Sequence, residues 1–442
     1  MTFMRKVAKG SALLAGALGL TMAASGCSGS TGGGSDQIEG ATITVAWMTD
    51  PPPQAALDAF TDETGIKVKW TVVDWDSLQT KIAAAATSNT YFADVTDVDW
   101  SRVGQLGTLG WFYPMSDYLD VDKMEQDMPQ MSSFKSDGEV YGIPFDSSYM
   151  VTTVNKAIFE EAGITEMPTT IEQYTKDLQQ IKDKGVLDTP LNIPFAAAEG
   201  LSTYWYQTTA AFGGTVLDDE GKPQFSSPDS AGYKAAEWMV QALKDGLVPE
   251  GNINVTDSQG MQKLMAKGSV ASTFSDYSGN IGSLYDVPAS STVVDEVQYI
   301  PTPGVSGPAT NLGNPDGIGI PKQAKYPEAA AKFIEWVTST ENQVDFAGGS
   351  GPDKVMPHYP SPSRLSAMEA LTESGELTQG EVLTELLEGS EATFPAGAPS
   401  WYPDFSRAVN TNLHAAAVGS KSVSAAIEDI AKTATSNVKE NS

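Results

Sequence analysis

From Ala41 onward, apolar and polar positions alternate with a period of two, then recur with a period near 3.6, in repeated succession. Ile43, Val45 and Trp47 alternate with Thr42, Thr44 and Ala46, which predicts a strand. The prolines of "PPPQAALDAFTDETG" suit a loop and helix start, and Gly65 suits the helix end. Ile66, Val68, Trp70 and Val72 predict a second strand, and Leu78, Ile82 and Ala85 share one face of a second helix. "FADVTDVDW" supplies a third short strand. Strand, helix, strand, helix, strand is the signature of a parallel α/β sheet.

The pattern restarts after "YGIPFDSSYMVTTVNKAIFEEAGI". In "PTTIEQYTKDLQQIKDKG", Thr169 and Glu172 have capping-box spacing, Ile171, Tyr174, Leu178 and Ile181 form a stripe, and Gly185 ends the helix. "SAGYKAAEWMVQALKDGL" predicts another amphipathic helix, and "MAKGSVASTFSD" returns to a strand. "LGNPDGIGIPKQAKYPEAAAKFIEWVTSTENQ" reads as loop, strand and helix, with Ala330, Phe333, Ile334 and Val337 facing inward. From Pro352 to about Asp404 the chain is rich in Pro, Gly and Ser, and it then becomes helical.

The first 40 residues break from this pattern. Arg5, Lys6 and Lys9 precede the uncharged run "SALLAGALGLTMAA". It is too short for the roughly 20 residues of a stable span and suits a signal-peptide h-region. The chain's one cysteine, Cys27, follows small residues and precedes "SGSTGGGS", a flexible-tether composition. The arrangement resembles a bacterial lipoprotein signal, with Ala24 where leucine is typical. Cleavage before Cys27 and its lipidation would give a two-chain anchor; simple secretion with cleavage near Ala24 is the alternative. Removal of the signal leaves 24 Lys and Arg against 56 Asp and Glu, a net charge of −32. Such a surface is repelled by nucleic acid and anionic lipid. Its acidic residues are dispersed, as on a solvated surface. About 400 residues exceed what one core usually serves, so two domains are expected.

Ligands of open α/β sheets bind beyond the carboxyl ends of the strands. The first three strands end in "WMTD", "DWD" and "DVDW", which place Trp47 with Asp50, Trp75 with Asp74 and Asp76, and Trp100 with Asp97 and Asp99. Any one of these residues is ordinary turn or core chemistry. Three such pairs at equivalent topological positions suggest a shared rim. Aromatic faces stack on the C–H faces of a sugar, and carboxylates accept its hydroxyls. Trp70, Trp238 and Trp336 fall in apolar stripes and read as core, whereas Trp205 and Trp401 lie among other aromatics outside a clean stripe. No nucleophile elbow, zinc-protease motif or phosphate loop is present, and His358 and His414 have no evident partner. No metal or cofactor site is expected. A glycoside hydrolase, which needs only two suitably spaced carboxylates, stays open.

Taken together, "ITVAWMTD" with "AFTDETGIKV", "LQTKIAAA" with "ADVTDVD", "GEVYGIPFDSS", "VNKAIFEEAGI", "MPTTIEQY", "AFGGTVLDDEGKPQF", "MQKLMAKGSVAS" and "GIGIPKQAKYPEAAAKFIEWVTSTENQ" resemble, in order and spacing, one family. It is the extracellular solute-binding proteins of carbohydrate ABC transporters, the group that includes maltose-binding protein. The resemblance implies an α/β fold of two lobes joined by several chain crossings around a ligand cleft. It implies residues 1–26 as signal, 27–40 as lipidated cysteine and tether, 41–148 and 274–324 as lobe one, and 149–273 and 325–442 as lobe two. It carries ligand contact to Asp50, Asp97, Asp99, Trp100, Asp146, Tyr204, Trp205, Asp276, Tyr277, Asn314, Asp316 and Trp401, beside Trp47 and Trp75 from the strand-end pattern. "GNPDG" lacks the aromatic that family members often carry there. The implied protein is a monomer held on the outer membrane face by Cys27. It would bind an oligosaccharide without breaking bonds and deliver it to ABC permease subunits, whose ATPase is a separate chain. The same fold could instead take an amino acid, peptide or oxyanion, which would want arginine; only Arg102, Arg364 and Arg407 follow the signal, and Arg102 borders "DVDW".

Overall fold

The computed structural model describes residues 38, 40–256, 258–347 and 361–441. Cys27, the signal and His358 lie outside the described residues. The alternating stretch that opens the domain forms β1 (Thr42–Trp47), followed by α1 (Gln54–Thr64), β2 (Lys67–Val72), α2 (Trp75–Ser88) and β3 (Val95–Asp99). Gly65 ends α1 in the left-handed region at φ 72°, where a Cβ would be strained. Asp74 caps α2 by accepting from the Ser77 N–H at 3.0 Å. The short helix α3 (Val103–Thr108) follows, and β4 (Ile143–Pro144) ends the first pass.

The second pass contains β5 (Met150–Asn155), α4 (Ile171–Asp183), β6 (Leu191–Asn192), α5 (Glu199–Ala211), α6 (Ala231–Lys244), β7 (Ser272–Tyr277) and β8 (Val297–Ile300). The α4 cap is Thr170, one residue later than the capping-box spacing suggests, and its Oγ1 accepts from the Gln173 N–H at 3.2 Å. The chain then returns through β9 (Asp316–Gly319) and α7 (Pro327–Val337). The described part of the Pro/Gly/Ser-rich stretch, from residue 361 onward, is more ordered than its composition suggests. It holds α8 (Leu365–Ser374) and α9 (Gly380–Glu388) before α10 (Tyr402–Ala417) and α11 (Val423–Asn441). No helix among the described residues is long and apolar enough to cross a membrane.

Two sheets make two lobes. The first has the order β2-β1-β3-β9-β4, with β1 parallel to β2 and β3 and β9 antiparallel to β3. The second has the order β8-β5-β7-β6. Two features depart from the expected lobe limits. β7 and β8 pair with β5 in the second sheet, so the return to the first comes at β9 and not at residue 274. α7 packs on the first lobe, with the Phe333 ring 5.7 Å from Phe60 and 6.4 Å from Trp70. The signal for this was present in Phe333's apolar stripe, but a stripe does not say which sheet it covers. The crossings are tied together at one place. Asp146 Oδ1 accepts from the N–H groups of Ser148 (3.2 Å) and Asp316 (3.1 Å), and the Asn314 N–H donates to the Ser148 carbonyl at 3.0 Å.

Candidate functional site

The carboxyl end of β3 brings together acids that sequence places far apart. Asp97 and Asp99 alternate on one face of the strand, and both are taken up by α2: Gln79 donates to Asp97 Oδ2, and the Trp75 indole N–H donates to Asp99 Oδ2 at 3.0 Å. Ser101 N–H and Oγ–H both donate to Asp99 Oδ1, the former at 2.8 Å. The Arg102 guanidinium lies over the Trp75 ring, 5.7 Å from its centroid. Asp316 sits directly opposite Asp99 in the β9–β3 register, and Asp146 is hydrogen-bonded to the Asp316 backbone. Four aspartates therefore meet where β3, β9 and the first crossing converge.

Burial and mutual repulsion act together on them. The Asp97 carboxyl is pushed well above the usual range, first by burial and then by Asp99 and Asp146. Asp316 is raised likewise by burial and by Asp146, Asp97 and Asp99. Asp146 is pushed up to about 6 by burial, against two stabilising backbone N–H groups. Asp97 is fully buried and its Oδ1 has no hydrogen-bond partner. Asp146, Asn314 and Asp316 are only partly buried, so solvent reaches the cluster from one side.

The second lobe answers with Glu199 at the start of α5. Its carboxylate accepts from Tyr402 Oη and from Ser406 Oγ, the latter at 2.6 Å. Burial raises its pKa, and Asp99 adds to the rise while Arg102 opposes it. The two lobes thus feel each other's charge at this point. Glu199 is hemmed in by protein yet remains exposed to solvent, as a residue on a narrow cleft wall would be. Tyr277, pushed up to about 12 chiefly by burial, hydrogen-bonds Asn314 and senses Glu199 and Asp316. Trp100 closes one end: its ring stacks on Phe394 at 6.1 Å and meets Tyr402 edge-on at 5.4 Å. Beyond that stack a groove of about 440 Å³ runs between Gly104 and Thr108 of α3 and the second-lobe residues Gly221 and Trp401.

The candidate residues fall into three groups. Asp97, Asp99, Trp75, Asp146, Tyr277, Asn314 and Asp316 converge on the cleft, with Trp100 at its end and Trp401 in the adjoining groove. Trp47 and Trp205 are core. Trp47 is 2% exposed against Phe145, and Trp205 is fully buried with its indole N–H donating to the Gly232 carbonyl at 2.8 Å. The adjacent Tyr206 is also a packing partner in space, 5.8 Å from Trp205, as is the more distant Phe225 at 5.0 Å. The Asp276 carboxylate accepts from Thr153 Oγ1, Tyr285 Oη, Asn280 Nδ2 and the Tyr277 N–H, and with Tyr204 and Tyr277 it lines a small cavity of about 20 Å³. Tyr204 is buried and donates to the Asn192 carbonyl, and Asp50 lies exposed at the end of β1. Glu199, Tyr402 and Gln79 join the site unannounced. The one available signal was Tyr402, next to Trp401 in a run of aromatics.

A larger groove, about 990 Å³, lies along α4 between Ile171, Thr175, Phe212, Trp238 and Val305. It belongs to the second lobe's outer side and draws nothing from the β3 cluster.

Residues 46–344 match the family of bacterial extracellular solute-binding proteins. The diacetylchitobiose binding protein DasA of Streptomyces coelicolor is 24% identical over 330 residues, covering 72% of this chain and 74% of that protein. Among solved structures, an ABC transporter solute-binding protein of Agrobacterium radiobacter K84 in complex with ribitol superposes with a TM-score of 0.76 at 23% identity, covering 91% of this chain and all of that one. Maltose-bound MalE3 of T. maritima superposes with a TM-score of 0.74 at 19% identity, covering 90% of this chain and all of its own.

Proposed function

Because this chain belongs to the bacterial extracellular solute-binding protein family, we propose that it captures a saccharide between its lobes and delivers it to the permease of an ABC importer. The observation that carries this reading is the meeting of the two lobes at the end of β3, where the Trp100 ring lies 5.4 Å from Tyr402, whose hydroxyl donates to Glu199. Hydroxyls donate to carboxylates, and rings such as Trp75 and Trp401 offer stacking faces. Relatives named for diacetylchitobiose binding and neighbours holding ribitol or maltose support a polyhydroxylated ligand.

The mechanism follows from the two-lobed build. Bonds from both lobes are complete only when the cleft is shut, so the ligand shifts the population toward the shut form by its differential affinity. Asp146, which joins two crossings through backbone bonds, is placed to act as part of the hinge. Acylation of Cys27 would hold the protein on the outer membrane face as a monomer, with residues 27–40 as the tether. The ligand would leave unaltered, and translocation and ATP hydrolysis would belong to partner chains.

The test is a screen of mono-, di- and trisaccharides by thermal shift and tryptophan emission. A true ligand raises the melting temperature and perturbs emission through Trp75 or Trp401. An amino acid or peptide giving both effects, with every saccharide silent, would overturn the substrate class. Release of reducing sugar at catalytic protein concentration would overturn the binder reading.

A further inference from the structure

The second lobe's side of the cleft holds a small cavity. It measures about 20 Å³, room for one group the size of a water or a methyl. It lies at the carboxyl ends of the parallel strands β6 and β7, where ligands of such sheets bind. Of its lining residues Gly200 and Tyr277 are partly exposed, so its mouth opens there, next to Glu199. Buried Met150, Met261 and Pro194 form the apolar part of its wall. The polar part has its hydrogen bonds already made. Thr203 Oγ1 donates to the Gly200 carbonyl at 3.3 Å, Ser275 Oγ to Met150 Sδ at 3.0 Å, and Tyr204 Oη to the Asn192 carbonyl at 2.9 Å. Asp276 accepts from four donors, and Tyr277 hydrogen-bonds Asn314. A hydroxyl entering here would leave water for neighbours that are already committed, which is costly for a buried polar group. A methyl gives up no hydrogen bond and gains apolar contact, to which methionine side chains adapt well.

We propose that the saccharide this cleft selects carries a methyl group, on an acetamido substituent or at a deoxygenated ring position, and seats it in the cavity between Met150, Met261 and Pro194. The inference rests on the saccharide reading given above and narrows it to N-acetylated or deoxy sugars. Both present the same chemistry, one small apolar group on an otherwise polar ring. A single methylene in an apolar pocket separates two ligands by roughly 10–200-fold. Gly200, without a side chain, leaves the mouth clear for the ring that bears the methyl. A cavity of about 20 Å³ also sets an upper limit, since an acyl group longer than acetyl has no room in it.

The experiment compares matched pairs by calorimetry: N-acetylglucosamine and its β-1,4 dimer against their N-formyl counterparts, and D-fucose against D-galactose. In one of the two series the methyl-bearing member should bind roughly tenfold more tightly, and the series that responds names the carrier of the methyl. Gly200→Ala, which adds a methyl at the mouth, should bring that ratio close to one. Met261→Ala, which enlarges the cavity, should let the N-propionyl or 6-deoxy-6-ethyl analogue bind as tightly as the methyl-bearing sugar. Melting curves confirm that both variants are folded. Equal or tighter binding of the methyl-free member, or a wider screen in which every bound saccharide lacks a methyl, overturns the methyl inference and leaves the saccharide reading standing. A methyl preference that neither folded variant alters overturns the proposed seat. Silence from every saccharide, with binding of an unrelated solute class, overturns the saccharide reading and this inference with it.

Discussion

Two buried aspartates at and within β3 stand in opposite circumstances. Asp94, just before the strand, is fully buried and its carboxylate accepts from the N–H groups of Thr44 (2.8 Å), Lys325 (2.7 Å) and Tyr326 (3.2 Å) and from Tyr91 Oη (2.7 Å). It fastens β1 to the segment that returns to the first lobe before α7. Asp97, three residues on, is equally buried and keeps an oxygen with no donor. Asp276 in the second lobe repeats the first condition, with four donors around one carboxylate. A saturated buried carboxylate is a structural clamp. Asp97, with one oxygen unpaired beside Asp99 and Asp146, is instead raised by burial and by their repulsion.

The contrast can be broken most forcefully at its clamped end. Asp94→Ala would strand four donors, and we expect a loss of roughly 3–4 kcal/mol in unfolding free energy. Chemical denaturation measures it; a loss below about 1 kcal/mol would mean the clamp is not one. A smaller effect tests the cleft end. Asp146 is raised toward about 6 in the folded protein, above its unfolded value. The folded state therefore holds a proton that the unfolded chain releases, and stability falls as pH rises from about 4 through 6. Asp146→Asn keeps an oxygen for the Ser148 and Asp316 N–H groups and removes the charge. It should flatten part of that fall, gaining about 1 kcal/mol at pH 7.5 after allowance for partial solvent screening. Melting curves from pH 4.5 to 7.5 check this, and a variant with an unchanged slope would contradict it. The smallest stability effect belongs to the groove. Trp401 meets Phe405 edge-on at 5.9 Å and is half-buried, so Trp401→Ala should cost no more than about 1.5 kcal/mol. Ligand affinity should drop severalfold by titration, and unchanged affinity would remove the ring from the site.

The strand and helix succession of the first lobe was legible because periods of two and 3.6 follow from backbone geometry. Asp97 and Asp99 stand out in the sequence as acids at a strand end, whereas Asp146 and Asp316 are singled out only by the family resemblance. Legibility stopped where a residue's role depends on its neighbours in space. Trp205 and Trp401 look alike in sequence, each among aromatics, yet one is sealed behind Gly232 and Phe225 while the other lines a groove. Asp276 looks like Asp97 until the four donors around it are seen. The family resemblance is gappy around Glu199, and its partners Tyr402 and Ser406 lie two hundred residues away.

The central claim is that one ligand bridges the carboxylates of both lobes. A crystal structure with the tightest-binding saccharide from the screen tests it most directly. The account predicts ligand density within hydrogen-bond distance of Asp99 or Asp316 on one side and Glu199 on the other. Density confined to the outer groove between α4 and Trp238, with the carboxylate cleft unchanged, would contradict it.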